Sequence, residues 1–207
     1  MTERAFQHPG INLAHAREED HLHAEVTVFG FWVFLMSDAI IFAVLFATYA
    51  SMTTRTNGGP TGAEVFQLSN AFIETLVLLF SSFAFGMASV ALRESRVPTI
   101  YRWMGASLLL GLGFLGLELR ELTGLIASGA SPQVSGFLSS FFLLVSTHGL
   151  HVLAGSVWIV VMMVQIAVLG LRREVRSLLL RLGLFWQFLD LIWIVIFSVV
   201  YLPGVAQ

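Results

Sequence analysis

Five separate apolar runs, each long enough to cross a bilayer, constrain this chain of 207 residues more than any motif in it. A helix rising 1.5 Å per residue needs roughly 20 apolar residues to span the hydrocarbon. The runs lie at about 29–49, 71–92, 100–122, 137–171 and 182–202. In hydrocarbon every backbone N–H and C=O must be satisfied within its own segment, so runs of this length predict helices. The expectation is an all-α, polytopic bundle of five transmembrane helices. Composition agrees: 57% of residues are hydrophobic and 12% are charged, about half the charge of a soluble domain. The fourth run is too long for one upright span and too short for two with a loop, which predicts one long, tilted helix.

Residues 1–27 form a polar segment with His8, His15, His21 and His23 among Glu18, Glu19, Asp20 and Glu25. It lacks the basic start and short apolar core of a secretory signal. A tail with four histidines could hold a metal, but its composition favours a solvated, partly disordered leader. Beyond the first span, GGPTG (Gly58–Gly62) is a turn signal. All eleven basic residues are arginines. Nine of the eleven fall in the tail or after the second and fourth runs, leaving Arg55 and Arg120 opposite. Arg172, Arg173, Arg176 and Arg181 are read as filling the loop after the fourth run. By the positive-inside rule the N-terminus is cytoplasmic and the C-terminus lies on the far side.

Orientation assigns depth to the intramembrane polar residues. Asp38 falls near the midplane, as do His148 and His151 in the fourth run. Glu74 and Glu118 belong to the outer half, with Arg120 and Glu121 near the outer surface, and Asp190 with Gln187 to the cytoplasmic half. Lipid solvates none of these, so they must face one another, water or a partner.

His148 and His151 stand three residues apart, on one helical face, with Gly149 and Gly155 allowing close approach of a neighbour. Four-helix di-iron proteins use Glu-x-x-His from two helices. Here the pairs are Glu-x-x-Glu (Glu118, Glu121) and His-x-x-His, which speaks against a di-metal site. Bis-histidine haem ligation needs two opposed faces, and these histidines share one. Cysteine is absent, which excludes disulfides, thiolate copper and iron–sulfur centres. Two readings stay open. The polar groups are interhelical glue, or they form a proton path, as in a stand-alone proton-coupled transporter. No internal repeat and no midplane break favours the transporter.

THGLHVLAGSVW together with FWQFLDLIWIVIFSVVYL (Phe185–Leu202) resembles subunit III of the haem–copper terminal oxidases. GFWVFLMSDAIIFAVLFATYA, ETLVLLFSSFAFGMA and GFLGLELREL match further family segments in order. Five spans rather than seven, the GGPTG loop and the short leader are similar to the bacterial quinol-oxidising branch, the cytochrome bo-type ubiquinol oxidases. The resemblance implies a multi-pass protein of the bacterial inner membrane with no catalytic centre or metal of its own. It would belong to a complex that oxidises ubiquinol, reduces oxygen and pumps protons, with haem and copper in partner subunit I. It implies packing on subunit I beside subunits II and IV, bound phospholipid, and support of proton uptake and stability. Asp38 then stands at the family's buried acid, Glu118 and Glu121 at its Glu-x-x-Glu pair, His148 and His151 at its His-Gly-x-His pair, and Asp190 at the acid of Trp-His-Phe-x-Asp. Gln187 replaces that motif's histidine, and an amide cannot titrate near neutral pH.

Overall fold

A computed structural model describes residues 18–205, with side chains described from Phe29. The calls on the tail before Glu18, including His8 and His15, lie outside the described residues. The helices are α1 (Glu18–Met52), α2 (Gly62–Val65), α3 (Leu68–Arg93), α4 (Val97–Ala127), α5 (Gly136–Leu169) and α6 (Arg173–Ile196). A π-helical turn, Phe197–Tyr201, continues α6 into the short α7 (Leu202–Val205). Among the described residues there is no strand. Five helices are long and apolar enough to cross a membrane, as the hydropathy requires.

The chain divides into two units, one ending at Ala39 and one beginning at Ile40. The first carries α1 up to Ala39. Within it the hydroxyl of Ser37 donates to Val33 O at 2.9 Å, the usual way a helix in hydrocarbon satisfies a hydroxyl. The helix starts at Glu18, so part of the stretch read as a solvated leader is helical backbone.

In the second unit α3–α6 close a ring, with α3 on α4, α4 on α5, α5 on α6 and α6 back on α3. Trp186 of α6 sits at its centre, 1% exposed. Its indole Nε1–H donates to Ser81 Oγ of α3 at 3.1 Å. The Ser81 hydroxyl in turn donates to Ser107 O of α4 at 2.8 Å. Two glycines admit the ring: a Cβ on Gly111 of α4 would lie 2.8 Å from Trp186 carbons, and one on Gly155 of α5 would lie 2.9 Å away. Small residues here serve as seats for an aromatic side chain, in addition to bringing backbones together. Tyr101 OH donates to Met163 O at 2.7 Å and ties α4 to α5.

The apolar run from Gly136 to Leu169 is one helix of 34 residues, as its length predicts. At 1.5 Å per residue this is about 51 Å, well beyond a hydrocarbon core of about 30 Å. Ser135 caps its start, accepting from Leu138 N at 3.1 Å. Gly170 ends it at φ +70°, a left-handed backbone that favours glycine.

The last span corrects the sequence reading. Helix α6 begins at Arg173, so Arg173, Arg176 and Arg181 are helical residues rather than loop. The physical reason is the stripe Val175, Leu179 and Leu182, all buried at 2% or less, which continues the helical period through the arginines. Arg176 donates from Nη2 to Ser95 Oγ at 2.8 Å, and from Nε to Leu171 O at 3.3 Å. The bond to Ser95 joins the two arginine-rich turns at one end of the bundle. At the other end, the GGPTG turn leads into α2, whose Gly62 lies on Gly204 of α7: a Cβ there would come within 2.9 Å of Gly204 O.

Candidate functional site

The polar residues singled out in the second unit form one histidine-centred core and one carboxyl cluster, with further positions on α6. His148 is fully buried. Its Nε2–H donates to the Leu189 carbonyl of α6 at 3.2 Å, which leaves Nδ1 without a hydrogen-bond partner among the described residues. Three aromatic rings from three helices surround it. Phe114 of α4 is 5.6 Å away edge-on, Trp193 of α6 is at 5.2 Å, and Phe42 of α1 is at 6.4 Å. Trp193 also reaches α3, its Nε1–H donating to Thr75 Oγ1 at 3.0 Å. His151 uses its Nδ1–H on Thr147 O of its own helix, at 2.7 Å, and packs on Phe42 at 5.2 Å. His148 thus spends its ring proton on a backbone carbonyl and not on a carboxylate.

Glu118 occupies the neighbouring position instead. Its carboxyl group rests on Gly149: a Cβ there would lie 2.9 Å from both Cδ and Oε2. Gly149, between the two histidines, therefore makes room for an acid from α4. Glu118 is near enough to Glu74 of α3 and Glu121 of its own helix for their charges to interact. Three carboxyls called from sequence thus come together. A fourth member was missed: Tyr201 of the π turn, 1% exposed, donates its hydroxyl to Glu121 Oε2 at 3.4 Å. Its signal in the sequence was a lone phenol at the end of the last span, where it reads equally well as an interface anchor. Glu74 Oε2, Glu118 Oε2 and Glu121 Oε1 are buried without a hydrogen-bond partner among the described residues. A cavity of about 550 Å³ opens beside them, lined by Glu74, Glu121, Glu64, Asn70 and Arg120 among others.

The remaining candidates of the second unit, Asp190 and Gln187, are not part of that cluster. Asp190 is half-buried and bonds Ser82 of α3. Gln187, three residues earlier, is exposed on the outward face of α6. Asp38 belongs to the first unit, on α1. Among the described residues, no group of three or more His, Asp or Glu has the geometry to hold a metal ion.

Five apolar helices, a histidine core bonded to backbone and a cluster of buried carboxyls define a polytopic helical membrane protein built around polar interhelical contacts. The chain belongs to the cytochrome c oxidase subunit III family, whose model matches residues 18–205. It is similar to the cytochrome bo(3) ubiquinol oxidase subunit 3 of Pseudomonas aeruginosa, 46% identical over 92% of this chain and 93% of that one. The quinol oxidase subunit 3 of Bacillus subtilis is 38% identical over 87% and 89%. The cytochrome c oxidase subunit 3 of Bacillus sp. strain PS3 is 40% identical over 86% of each. With five spans and bacterial oxidase-subunit relatives, it is a multi-pass protein of the inner membrane.

Proposed function

We propose that this chain is the non-redox subunit III of a proton-pumping ubiquinol oxidase in the aerobic respiratory chain. In this reading it packs on subunit I beside subunits II and IV, binds phospholipid and sustains proton uptake and complex stability. Haem and copper belong to subunit I. The observation that carries the reading is 46% identity, over 92% of this chain, to a protein named as a ubiquinol oxidase subunit. The cytochrome c oxidase relative is less similar, at 40%. Two features of the molecule support the details. The arginine-rich turns share one end of the bundle, joined by Arg176 and Ser95, which favours that end as cytoplasmic. The exposed face of α6 carries Gln187 between Leu184, 48% exposed, and Leu191, 59% exposed. An amide facing hydrocarbon would go unsatisfied, which favours this face as the one that meets another subunit.

Purification through a tag on this chain, in mild detergent, tests the reading. Coelution with haem absorbance and with the masses of subunits I, II and IV is expected. A monodisperse, haem-free chain that moves a substrate in vesicles would overturn it in favour of the transporter.

A further inference from the structure

Buried carboxyl oxygens without a donor are uncommon in folded proteins, and each raises the question of where its hydrogen comes from. The cluster of Glu74, Glu118 and Glu121 holds three of them. Glu74 is 2% exposed and Glu118 is 4% exposed. Oε2 of each is closed to solvent and has no donor among the described residues, and Oε1 of Glu121 is in the same condition. The three side chains lie close enough for their charges to interact. Because the orphan atoms are closed within the bundle, neither a ligand in the nearby cavity nor a partner subunit reaches them. The hydrogen they lack has to come from inside the cluster.

The surrounding groups leave few sources. Tyr201 donates its one O–H to Oε2 of Glu121, at 3.4 Å. Trp193 spends its N–H on Thr75. His148 precedes the glycine that seats Glu118; it gives its ring proton to Leu189 O, and its Nδ1 is a further buried acceptor with no donor among the described residues. Arg120 and Glu64 line the cavity, and both are exposed. Among the described residues no ion pair within 4.0 Å joins Arg120 to an acid of the cluster. An ionised carboxylate only accepts, whereas a protonated carboxyl brings an O–H of its own. Three anions sharing one phenol would be buried charges without partners, and like charges in one site do not all ionise. Glu121 differs from the other two: it has the phenol as donor and is the partly exposed member.

We propose that this cluster is a proton-binding site that carries two protons on three carboxyls, on Glu74 and Glu118, with Glu121 as the accepting carboxylate. Two of the three orphan oxygens then carry hydrogen themselves, and Oε1 of Glu121 is left to accept from them. One negative charge remains, on the residue that lines the cavity. Protons are thus stored at the end of the bundle opposite the arginine-rich turns, with Glu121 as their point of exchange. The site goes beyond the role of an oxidase subunit, since every group in it belongs to this chain.

Infrared spectra of the purified oxidase complex in slightly alkaline buffer test this, compared between wild type and Glu74→Gln, Glu118→Gln and Glu121→Gln. Un-ionised carboxyls and carboxylates absorb in separate regions. Glu74→Gln and Glu118→Gln should each remove the C=O absorption of one un-ionised carboxyl, and Glu121→Gln should remove carboxylate absorption instead. In D2O the un-ionised bands of the wild type should shift slowly, because their oxygens are closed to solvent. Loss of carboxylate absorption in the Glu74 or the Glu118 variant would overturn the proposal and would mean anions hydrated by trapped water. Glutamine has the shape of the neutral acid, so both variants should stay in the complex; dissociation of the subunit in both would also overturn it. The haem spectrum of the same preparation shows separately whether the oxidase reading holds.

Discussion

Gly111→Ala probes the seat of Trp186 most directly. The added methyl would lie 2.8 Å from two carbons of the indole ring, closer than carbon atoms pack. The ring has little room to retreat, because Gly155 of α5 also seats it, with ring carbons 2.9 and 3.1 Å from the Cβ an alanine there would add. Its Nε1–H is tied to Ser81. Overpacking a tight site costs about 1–3 kcal/mol, and a pinned aromatic ring places this case at the upper end. Alanine recovers up to about 1 kcal/mol over glycine through helix propensity. The expected net loss is about 2 kcal/mol, or roughly 4–8 °C of thermal midpoint for a chain of this size. Intrinsic tryptophan fluorescence during thermal denaturation of the complex in detergent reads it. Gly105→Ala on the same helix, where nothing lies within 4 Å of the new methyl, is the control and should not fall. Combining Gly111→Ala with Trp186→Phe should cost less than the sum of the single changes, because the smaller ring yields the space. Strict additivity, or a Gly111→Ala protein as stable as the control, would refute the seat.

His148→Leu should destabilise the chain by about 1–2 kcal/mol, since it removes an interhelical bond and ring contacts. His151→Leu removes a bond to Thr147 O and packing on Phe42 and should also lower stability; thermal midpoints of the two variants report both losses. Gln187→Leu should leave folding intact and lower retention of the subunit during detergent washing. Unchanged or improved retention would mean that this face of α6 meets lipid. Tyr201→Phe should cost less than about 0.5 kcal/mol, since its bond to Glu121 is long at 3.4 Å. A loss above about 2 kcal/mol would show that the phenol holds the carboxyl cluster together.

The number of spans and the single long fourth helix were legible because hydropathy and length alone decide them. The start of α6 was not, because a run containing Arg173, Arg176 and Arg181 reads as polar when charge is counted without phase. Glu74 and Glu118 were assigned to the outer half and Glu121 near the outer surface, and the three carboxyls lie close enough for their charges to interact. Direction around each helix was harder. Gln187 and Asp190 are three residues apart, yet one is exposed and the other bonds Ser82. In a span apolar on every side, the pattern does not say which face turns inward. Gly149 was read as a point of close backbone approach; that it receives the carboxyl of Glu118 depends on contacts 31 residues away in sequence.

The tie between α3 and α6 also bears on how the chain is made. Trp186 reaches a serine 105 residues earlier, and Trp193 reaches a threonine 118 residues earlier. While the ribosome is still working, α3 and α4 can pair as soon as both have entered the bilayer, but Ser81 lacks its indole until the final span arrives. A nascent chain stalled before Arg173 would keep an unfinished polar groove open to lipid. The last helix is thus the closing step of biogenesis, and the growing protein is most exposed to membrane quality control just before that step.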